Sequence, residues 1–135
     1  MYLTLNRYKI NKTEDEWKSQ LSKEQFYILR EKGTELPYSG DLNKKFEDGI
    51  YTCAACKTKL FDSSAKFDSA CGWPSFDRSL KGQIEYSSDK SHGMNRTEIL
   101  CNSCGGHLGH VFNDGPTKTG IRYCVNSLSL DFKKS

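Results

Sequence analysis

The sequence predicts a mainly β domain with short N-terminal helices and small antiparallel sheets packed together around one core. From Gly49 onward, short β-like runs alternate with Gly, Asp, Asn and Ser, a spacing typical of small antiparallel sheets. Before Gly49, two hydroxyl residues are each followed three positions later by Glu or Gln, the signature of a helix N-terminus. We therefore expect a single domain over residues 1–135, with a helical part and strap over about 1–46 and a β part over about 47–135.

The N-terminal third contains two capping-box patterns, at 13–16 and 22–25. The second opens an apolar run, and Gly33 is placed to end that helix in a left-handed conformation. Segment 34–46 contains Pro37 and Gly40 and is predicted to be an extended, turn-rich strap.

The β part contains six candidate strands, and a strong turn signal at Asn113-Asp114-Gly115-Pro116 precedes the last of them. The candidates are 50–53, 59–61, 83–86, 94–101, 110–112 and 121–130.

Composition and charge exclude several classes of protein. The 20 basic and 17 acidic residues are interspersed, so the net charge of +3 forms no concentrated stripe, and no nucleic-acid partner is expected. No apolar stretch approaches the roughly 20 residues that cross a bilayer. The N-terminus lacks a basic region followed by an apolar run, so we expect a cytoplasmic protein without a membrane partner. In that reducing compartment, six cysteines favour metal ligands or redox thiols over structural disulfides.

Four of the six cysteines form two Cys-x-x-Cys pairs, Cys53 with Cys56 and Cys101 with Cys104. Two residues between thiolates let one tight turn supply two ligands of a tetrahedral zinc ion. Gly105 and Gly106 allow the backbone to fold tightly after the second pair. We expect one structural Zn²⁺, because four thiolates leave no open coordination position. Two redox pairs, or cysteines that only fill the core, are the alternatives.

The other two cysteines are Cys71 and Cys124. A single cysteine is more often a small buried apolar residue than a nucleophile. Arg122, two residues before Cys124, is a fixed positive charge that favours a thiolate there. His107 and His110 offer proton donors at physiological pH, although structural histidines are the commoner case. Strand alternation places His110 and Phe112 on one face.

The order of these motifs resembles that of the type B peptide-methionine (R)-S-oxide reductases. The matching segments run through nearly the whole chain. They are Arg30-Glu31-Lys32-Gly33-Thr34-Glu35, Tyr38-Ser39-Gly40, the two Cys-x-x-Cys pairs, Cys71-Gly72-Trp73-Pro74-Ser75-Phe76, the block 107–112, Asn113-Asp114-Gly115-Pro116, and Arg122-Tyr123-Cys124-Val125-Asn126. One departure is Lys23, where the family pattern has a proline that opens the second helix.

The resemblance implies a fold of the Mss4-like, β-tent type and a thiol-dependent reduction of oxidised methionine. It implies that Cys124 is the nucleophile and Cys71 the resolving thiol, which together form a disulfide that thioredoxin reduces. Trp73 is then the wall that receives the substrate methyl group, with Phe112 beside it. The polar side facing the sulfoxide oxygen is formed by His107, His110 and Asn126. The expected protein is a monomer that repairs oxidised methionine in other proteins.

Two other classes of function remain open at the level of sequence. A zinc-ribbon module that binds RNA or protein would use the two Cys-x-x-Cys pairs but would need neither Cys71 nor Cys124. A thiol-based peroxide sensor would use Cys71 and Cys124 but would need no aromatic pocket for a methyl group. Without the family pattern, Trp73 is as readily explained by core packing, Asn126 by a strand end, and Arg122 by a surface ion pair.

Overall fold

The computed structural model describes residues 8–134, so the predicted domain limits at 1–7 and at 135 lie outside the described residues. The helices are α1 (Glu14–Gln20) and α2 (Lys23–Glu31). The strands are β1 (Gly49–Cys53), β2 (Lys59–Asp62), β3 (Lys66–Phe67), β4 (Ser75–Phe76), β5 (Ile84–Asp89), β6 (Arg96–Cys101), β7 (His107–Phe112), β8 (Arg122–Val125) and β9 (Leu130–Lys134).

The strands form two antiparallel sheets, one of three strands in the order β2-β1-β9 and one of six in the order β3-β4-β8-β7-β6-β5. The predicted fold class, mainly β with short N-terminal helices, is confirmed. Within residues 8–134, no helix has both the length and the hydrophobicity of a membrane span.

Both predicted capping boxes are present. The Oγ1 atom of Thr13 accepts a hydrogen bond from Glu16 N at 3.2 Å, and Glu16 Oε1 accepts one from Thr13 N at 2.8 Å. Ser22 and Gln25 repeat the arrangement at 3.1 and 3.0 Å, which begins α2 at Lys23 without the family's proline. Each cap satisfies N–H groups that the first helical turn leaves without partners.

The prediction that Gly33 ends α2 in a left-handed conformation is wrong by one residue. Lys32 is the left-handed residue, with φ of 59°. A Cβ added at position 33 would lie 2.2 Å from the ring of Tyr27, which is half exposed and would have to move. The chain turns one residue earlier than predicted, and Lys32 directs its ammonium group to Glu98 at 3.2 Å.

One aromatic core joins the two sheets. Tyr51 and Phe61, from the three-stranded sheet, and Phe76, from the six-stranded sheet, are fully buried. The Phe61 and Phe76 rings stack with centroids 4.2 Å apart, and Tyr123 packs edge-on against Phe61. Truncating one such phenylalanine to alanine costs about 3–5 kcal/mol of folding free energy, so these contacts fix how the sheets lie against each other.

The segment predicted as one strand over 121–130 is divided between the two sheets. Strand β8 ends at Val125, a 3₁₀ turn covers Ser127–Ser129, and β9 then pairs with β1. The division arises because the buried carboxylate of Glu35, in the strap, accepts hydrogen bonds from Ser127 N at 2.8 Å and Leu128 N at 2.9 Å. Strands β3 and β4 were not expected, since each has only two residues.

Candidate active site and metal centre

The four Cys-x-x-Cys cysteines converge on one point between the sheets. Their Sγ atoms all lie within 4.8 Å of one another. The Cys53 and Cys104 sulfurs are 3.7 Å apart, and those of Cys56 and Cys101 are 3.6 Å apart. Cys53 ends β1 of one sheet and Cys101 ends β6 of the other. A metal ion held by this cluster would therefore connect the two sheets.

Each Cys-x-x-Cys turn closes in the same way. Lys57 N donates to Cys53 O, and Gly105 N donates to Cys101 O, both at 2.8 Å. The residue after each second cysteine is left-handed, with φ of 66° at Lys57 and 76° at Gly105. Glycine adopts this conformation without a steric cost, which explains Gly105 but makes Lys57 a less favourable solution of the same turn.

The six-stranded sheet carries a cavity of about 220 Å³ at the ends of β7 and β8. It is lined by Thr34, Cys71, Trp73, Arg96, Gly109, His110, Phe112, Arg122, Cys124, Val125 and Asn126. Seven of the eight residues predicted outside the metal centre thus lie around one space, and only His107 is not part of its wall.

The two remaining cysteines meet inside this cavity. Strand β4 pairs with β8 so that Ser75 lies opposite Cys124, and Cys71 precedes β4 by a tight turn through Gly72, whose φ is 95°. The Cys71 and Cys124 sulfurs are 3.8 Å apart. They are in contact without a covalent bond, so a modest approach would bring them to the roughly 2.05 Å of a disulfide.

A hydrogen bond between the two thiols shifts their pKa values in opposite directions. The hydrogen bond with Cys124 is the main cause that lowers the pKa of Cys71 to about 4, and Ser69 and Ser75 add to the effect. The same hydrogen bond and burial raise the pKa of Cys124 above its usual range, while Arg122 acts in the opposite direction. Contact between the two thiols therefore favours one thiolate over two in the reduced pair.

A glycine brings the strand of the histidines close to Cys124. A Cβ added to Gly109 would lie 2.0 Å from the carbonyl oxygen of Cys124, so only glycine allows β7 and β8 to pair here. The next residue, His110, lies opposite Cys124 in the register. His110 and Phe112 both line the cavity, as strand alternation predicts.

The two histidines have different surroundings. Half-buried His110 contacts Asp89 through Nε2 at 2.7 Å, and burial lowers its pKa while the hydrogen bond with Asp89 partly opposes that shift. His107 is only 3% exposed, and its Nδ1 lies 2.7 Å from Glu98 Oε2. His107 packs behind His110, with ring centroids 5.7 Å apart.

The predicted polar and aromatic residues are held by specific partners. Arg122 forms a two-pronged ion pair with Asp114 at 2.9 and 3.1 Å and lies over the Phe112 ring at 4.5 Å. This ion pair raises the pKa of Arg122, which stays charged beside Cys124. Trp73, also in the cavity wall, donates from Nε1 to the carbonyl oxygen of Glu35 at 3.1 Å.

Asn126 connects the strap to the cavity floor. Its Oδ1 accepts from Glu35 N at 3.0 Å, and its Nδ2 donates to Leu108 O at 3.1 Å. The residue is buried, and one amide hydrogen remains after these contacts.

Sequence reasoning missed the charged residues that surround the histidines, namely Asp89, Arg96 and Glu98. Strand β5 extends to Asp89, three residues beyond the predicted end of that strand, and pairs with β6 so that Asp89 lies opposite Arg96. The turn at 91–93 was a partial signal, because it brings Asp89 and Arg96 together once β5 and β6 pair, but the sequence alone does not specify that register.

Comparison with known proteins gives a consistent result. The SelR domain family matches residues 21–134. A protein named peptide methionine sulfoxide reductase MsrB from Leptospira interrogans is 56% identical over 128 residues, covering 94% of this chain and 98% of the relative. Proteins of the same name from Methanosarcina barkeri and Pseudomonas putida are each 54% identical, covering 92% and 93% of this chain and 88% and 96% of the relatives.

Proposed function

The chain belongs to the SelR domain family of peptide methionine sulfoxide reductases, and we propose that it reduces the R epimer of methionine sulfoxide in proteins through Cys124. It is an oxidoreductase by this membership. The observation that supports the assignment of residues is the meeting of Cys71 and Cys124 at 3.8 Å in a cavity lined by Trp73, Phe112 and His110.

The first step needs a nucleophile and an acid at opposite ends of the S–O bond. A sulfoxide becomes a good electrophile only when its oxygen accepts a proton. In the proposed step the Cys124 thiolate attacks the sulfur while His110 protonates the oxygen. Because Asp89 binds Nε2 of His110, the donated proton is held on Nδ1. The resulting hydroxyl passes from the substrate sulfur to the Cys124 sulfur as the bond between the two sulfurs breaks. Methionine leaves with two more electrons than the sulfoxide had, and Cys124 becomes a sulfenic acid.

The second step regenerates the enzyme. The Cys71 thiolate attacks the Cys124 sulfenic sulfur, which releases water and forms a Cys71–Cys124 disulfide. Hydrogen bonds with Ser69 and Ser75 also lower the pKa of Cys71, which favours its thiolate after Cys124 has been oxidised. An external dithiol, which we propose is thioredoxin, then reduces the disulfide through a mixed disulfide.

The remaining cavity residues orient the substrate in this proposal. Trp73 and Phe112 form an apolar wall for the methyl group. Asn126 directs its remaining amide hydrogen to the sulfoxide oxygen, and Arg122 stabilises the Cys124 thiolate. Since His107 is not part of the cavity wall, we assign it to the support of His110 rather than to proton transfer.

The metal of the four-cysteine cluster is, in this proposal, a single structural zinc ion. Four Zn–S bonds of about 2.3 Å in a tetrahedron place the sulfurs about 3.8 Å apart. The sulfur pairs in the cluster are 3.6 and 3.7 Å apart, so the donor set fits. The zinc would fix the two Cys-x-x-Cys turns and with them the relative position of the sheets. We also propose that the protein is a monomer in the cytoplasm.

The function is tested by separate turnover of the R and S epimers of a methionine sulfoxide peptide with dithiothreitol. We expect consumption of the R epimer only, and loss of turnover in Cys124→Ser with an unchanged zinc content. Consumption of neither epimer by zinc-loaded protein would overturn the proposal. Oxidation of the cysteine pair by hydrogen peroxide in that protein would then favour a peroxide sensor.

A further inference from the structure

Arg96 is a charged residue of the cavity wall that the proposed chemistry does not use. It begins β6, opposite Asp89 of β5, and its side chain is 24% exposed. It lines the cavity of Cys124 and also a neighbouring polar cavity of about 260 Å³. The guanidinium group therefore lies between the reactive space and a second space beside it.

The hydrogen-bonding groups of Arg96 are incompletely used. Its Nη2 atom lies 3.5 Å from Asp89 Oδ2, at the limit of a hydrogen bond. That carboxylate has closer partners, since Oδ2 contacts His110 Nε2 at 2.7 Å and Oδ1 accepts from Ser91 Oγ at 2.7 Å. Arg96 Nε is buried and, within residues 8–134, has no hydrogen-bond partner.

A buried donor without an acceptor is unfavourable, and a ligand that supplies the acceptor relieves that cost. The guanidinium group is always charged and presents its N–H groups in one plane, which suits a carbonyl or carboxylate oxygen. A methionine sulfoxide residue carries such an oxygen on the carbon attached to its Cα, at the other end of the side chain from the reacting sulfur.

We propose that Arg96 binds this oxygen of the substrate and so determines specificity for methionine sulfoxide over simple sulfoxides. In a peptide the acceptor is the main-chain carbonyl of the oxidised residue, and in the free amino acid it is the carboxylate. This inference rests on the proposed function, because it needs the sulfoxide sulfur at Cys124. It adds a substrate contact, made by the guanidinium group of Arg96, in the wall of the same cavity.

The test compares three sulfoxides that differ only at this end. N-acetylmethionine sulfoxide offers a carboxylate, its N-methylamide offers a carbonyl, and ethyl methyl sulfoxide offers neither. In Arg96→Met we expect KM to rise about tenfold or more for the first two, as for loss of a charge-assisted hydrogen bond, with a much smaller change in kcat. The preference for these two over ethyl methyl sulfoxide falls by the same factor. Arg96→Lys retains the positive charge but not the planar set of N–H groups, so we expect a smaller rise in KM than for Arg96→Met.

The size of the rise in KM distinguishes the carboxylate of the free amino acid from the carbonyl of a peptide. A larger loss for the carboxylate indicates that the free amino acid makes the stronger contact, and equal losses indicate a shared carbonyl contact. The matched control is Arg78→Met, which removes a more exposed arginine outside the cavity. It should leave KM and kcat unchanged for all three sulfoxides. Melting temperature and zinc content check that each variant is folded.

An equal rise in KM for all three sulfoxides, or a fall in kcat alone, would overturn the inference. Arg96 would then act by positioning Asp89 and His110 or by stabilising the folded protein. No loss on any sulfoxide would also overturn it. If wild-type protein reduces none of the sulfoxides, the proposed function itself fails, so the two failures are distinguishable.

Discussion

The chain has two groups of cysteines whose sulfur–sulfur distances are nearly equal but whose surroundings differ. In the four-cysteine cluster the sulfurs are 3.6 and 3.7 Å apart, and three of the four residues are buried. Cys71 and Cys124 are 3.8 Å apart, but they face a cavity of about 220 Å³. Proximity of thiols therefore does not determine their role.

The number of sulfurs and access to them separate the two groups. Four sulfurs provide a complete tetrahedron for a metal and leave no site for a substrate. Two sulfurs beside an open cavity can exchange electrons with a molecule that enters it, and a neighbouring acid and cation adjust their reactivity. With a metal bound, the first group would connect the sheets, whereas the second faces a cavity that a substrate can enter.

The largest effect is expected from removing one half of the cluster. Cys101→Ser combined with Cys104→Ser should abolish zinc binding and unfold the β part, because structural zinc contributes about 10–16 kcal/mol in comparable small sites. Zinc content and the cooperative thermal transition, followed by circular dichroism, check this. A metal-free variant that kept the wild-type melting temperature would show that the aromatic core alone holds the sheets, so that the four cysteines have no structural role.

A smaller effect is expected at the residues that serve the reactive pair. The hydrogen bond that His110 donates to Asp89 raises the pKa of His110 against the effect of burial. If protonated His110 is the acid, activity is present below its pKa and is lost as the pH rises through it. Asp89→Asn should therefore lower that pKa and move the alkaline limb of kcat to lower pH. The loss of rate should stay below the roughly 10²–10⁴-fold that a positioned acid contributes.

A pH profile of kcat for wild type and Asp89→Asn measures this shift, and the exposed Asp68→Asn is the matched control. A limb that moved to higher pH, or did not move, would assign the proton to another group.

Short sequence patterns predicted the features that residues close together in sequence determine. Both capping boxes and the two Cys-x-x-Cys turns were identified from spacing, because one helical turn or one tight turn fixes each of them. Seven of the eight predicted cavity residues also lie together, although their assignment depended on the resemblance to a family.

Contacts between distant segments were not predictable in the same way. The division of β8 from β9 depends on Glu35, more than 90 residues earlier in the chain, whose carboxylate binds Ser127 and Leu128. The partners of the histidines, Asp89 and Glu98, depend on the registers of β5 and β7 against β6. A sequence pattern alone does not specify such registers, because a slip of one residue moves every side chain to the other face.

Mass spectrometry of the zinc-loaded protein after one equivalent of an R-sulfoxide peptide tests whether two cysteines react while the other four hold a metal. We expect a Cys71–Cys124 disulfide, one methionine formed per chain, and four other cysteines that are alkylated only after zinc is removed. Cys71→Ser should also form one methionine but leave Cys124 as a sulfenic acid. A disulfide that includes Cys53, Cys56, Cys101 or Cys104, or an unmodified Cys124 after methionine has formed, would contradict this division of roles.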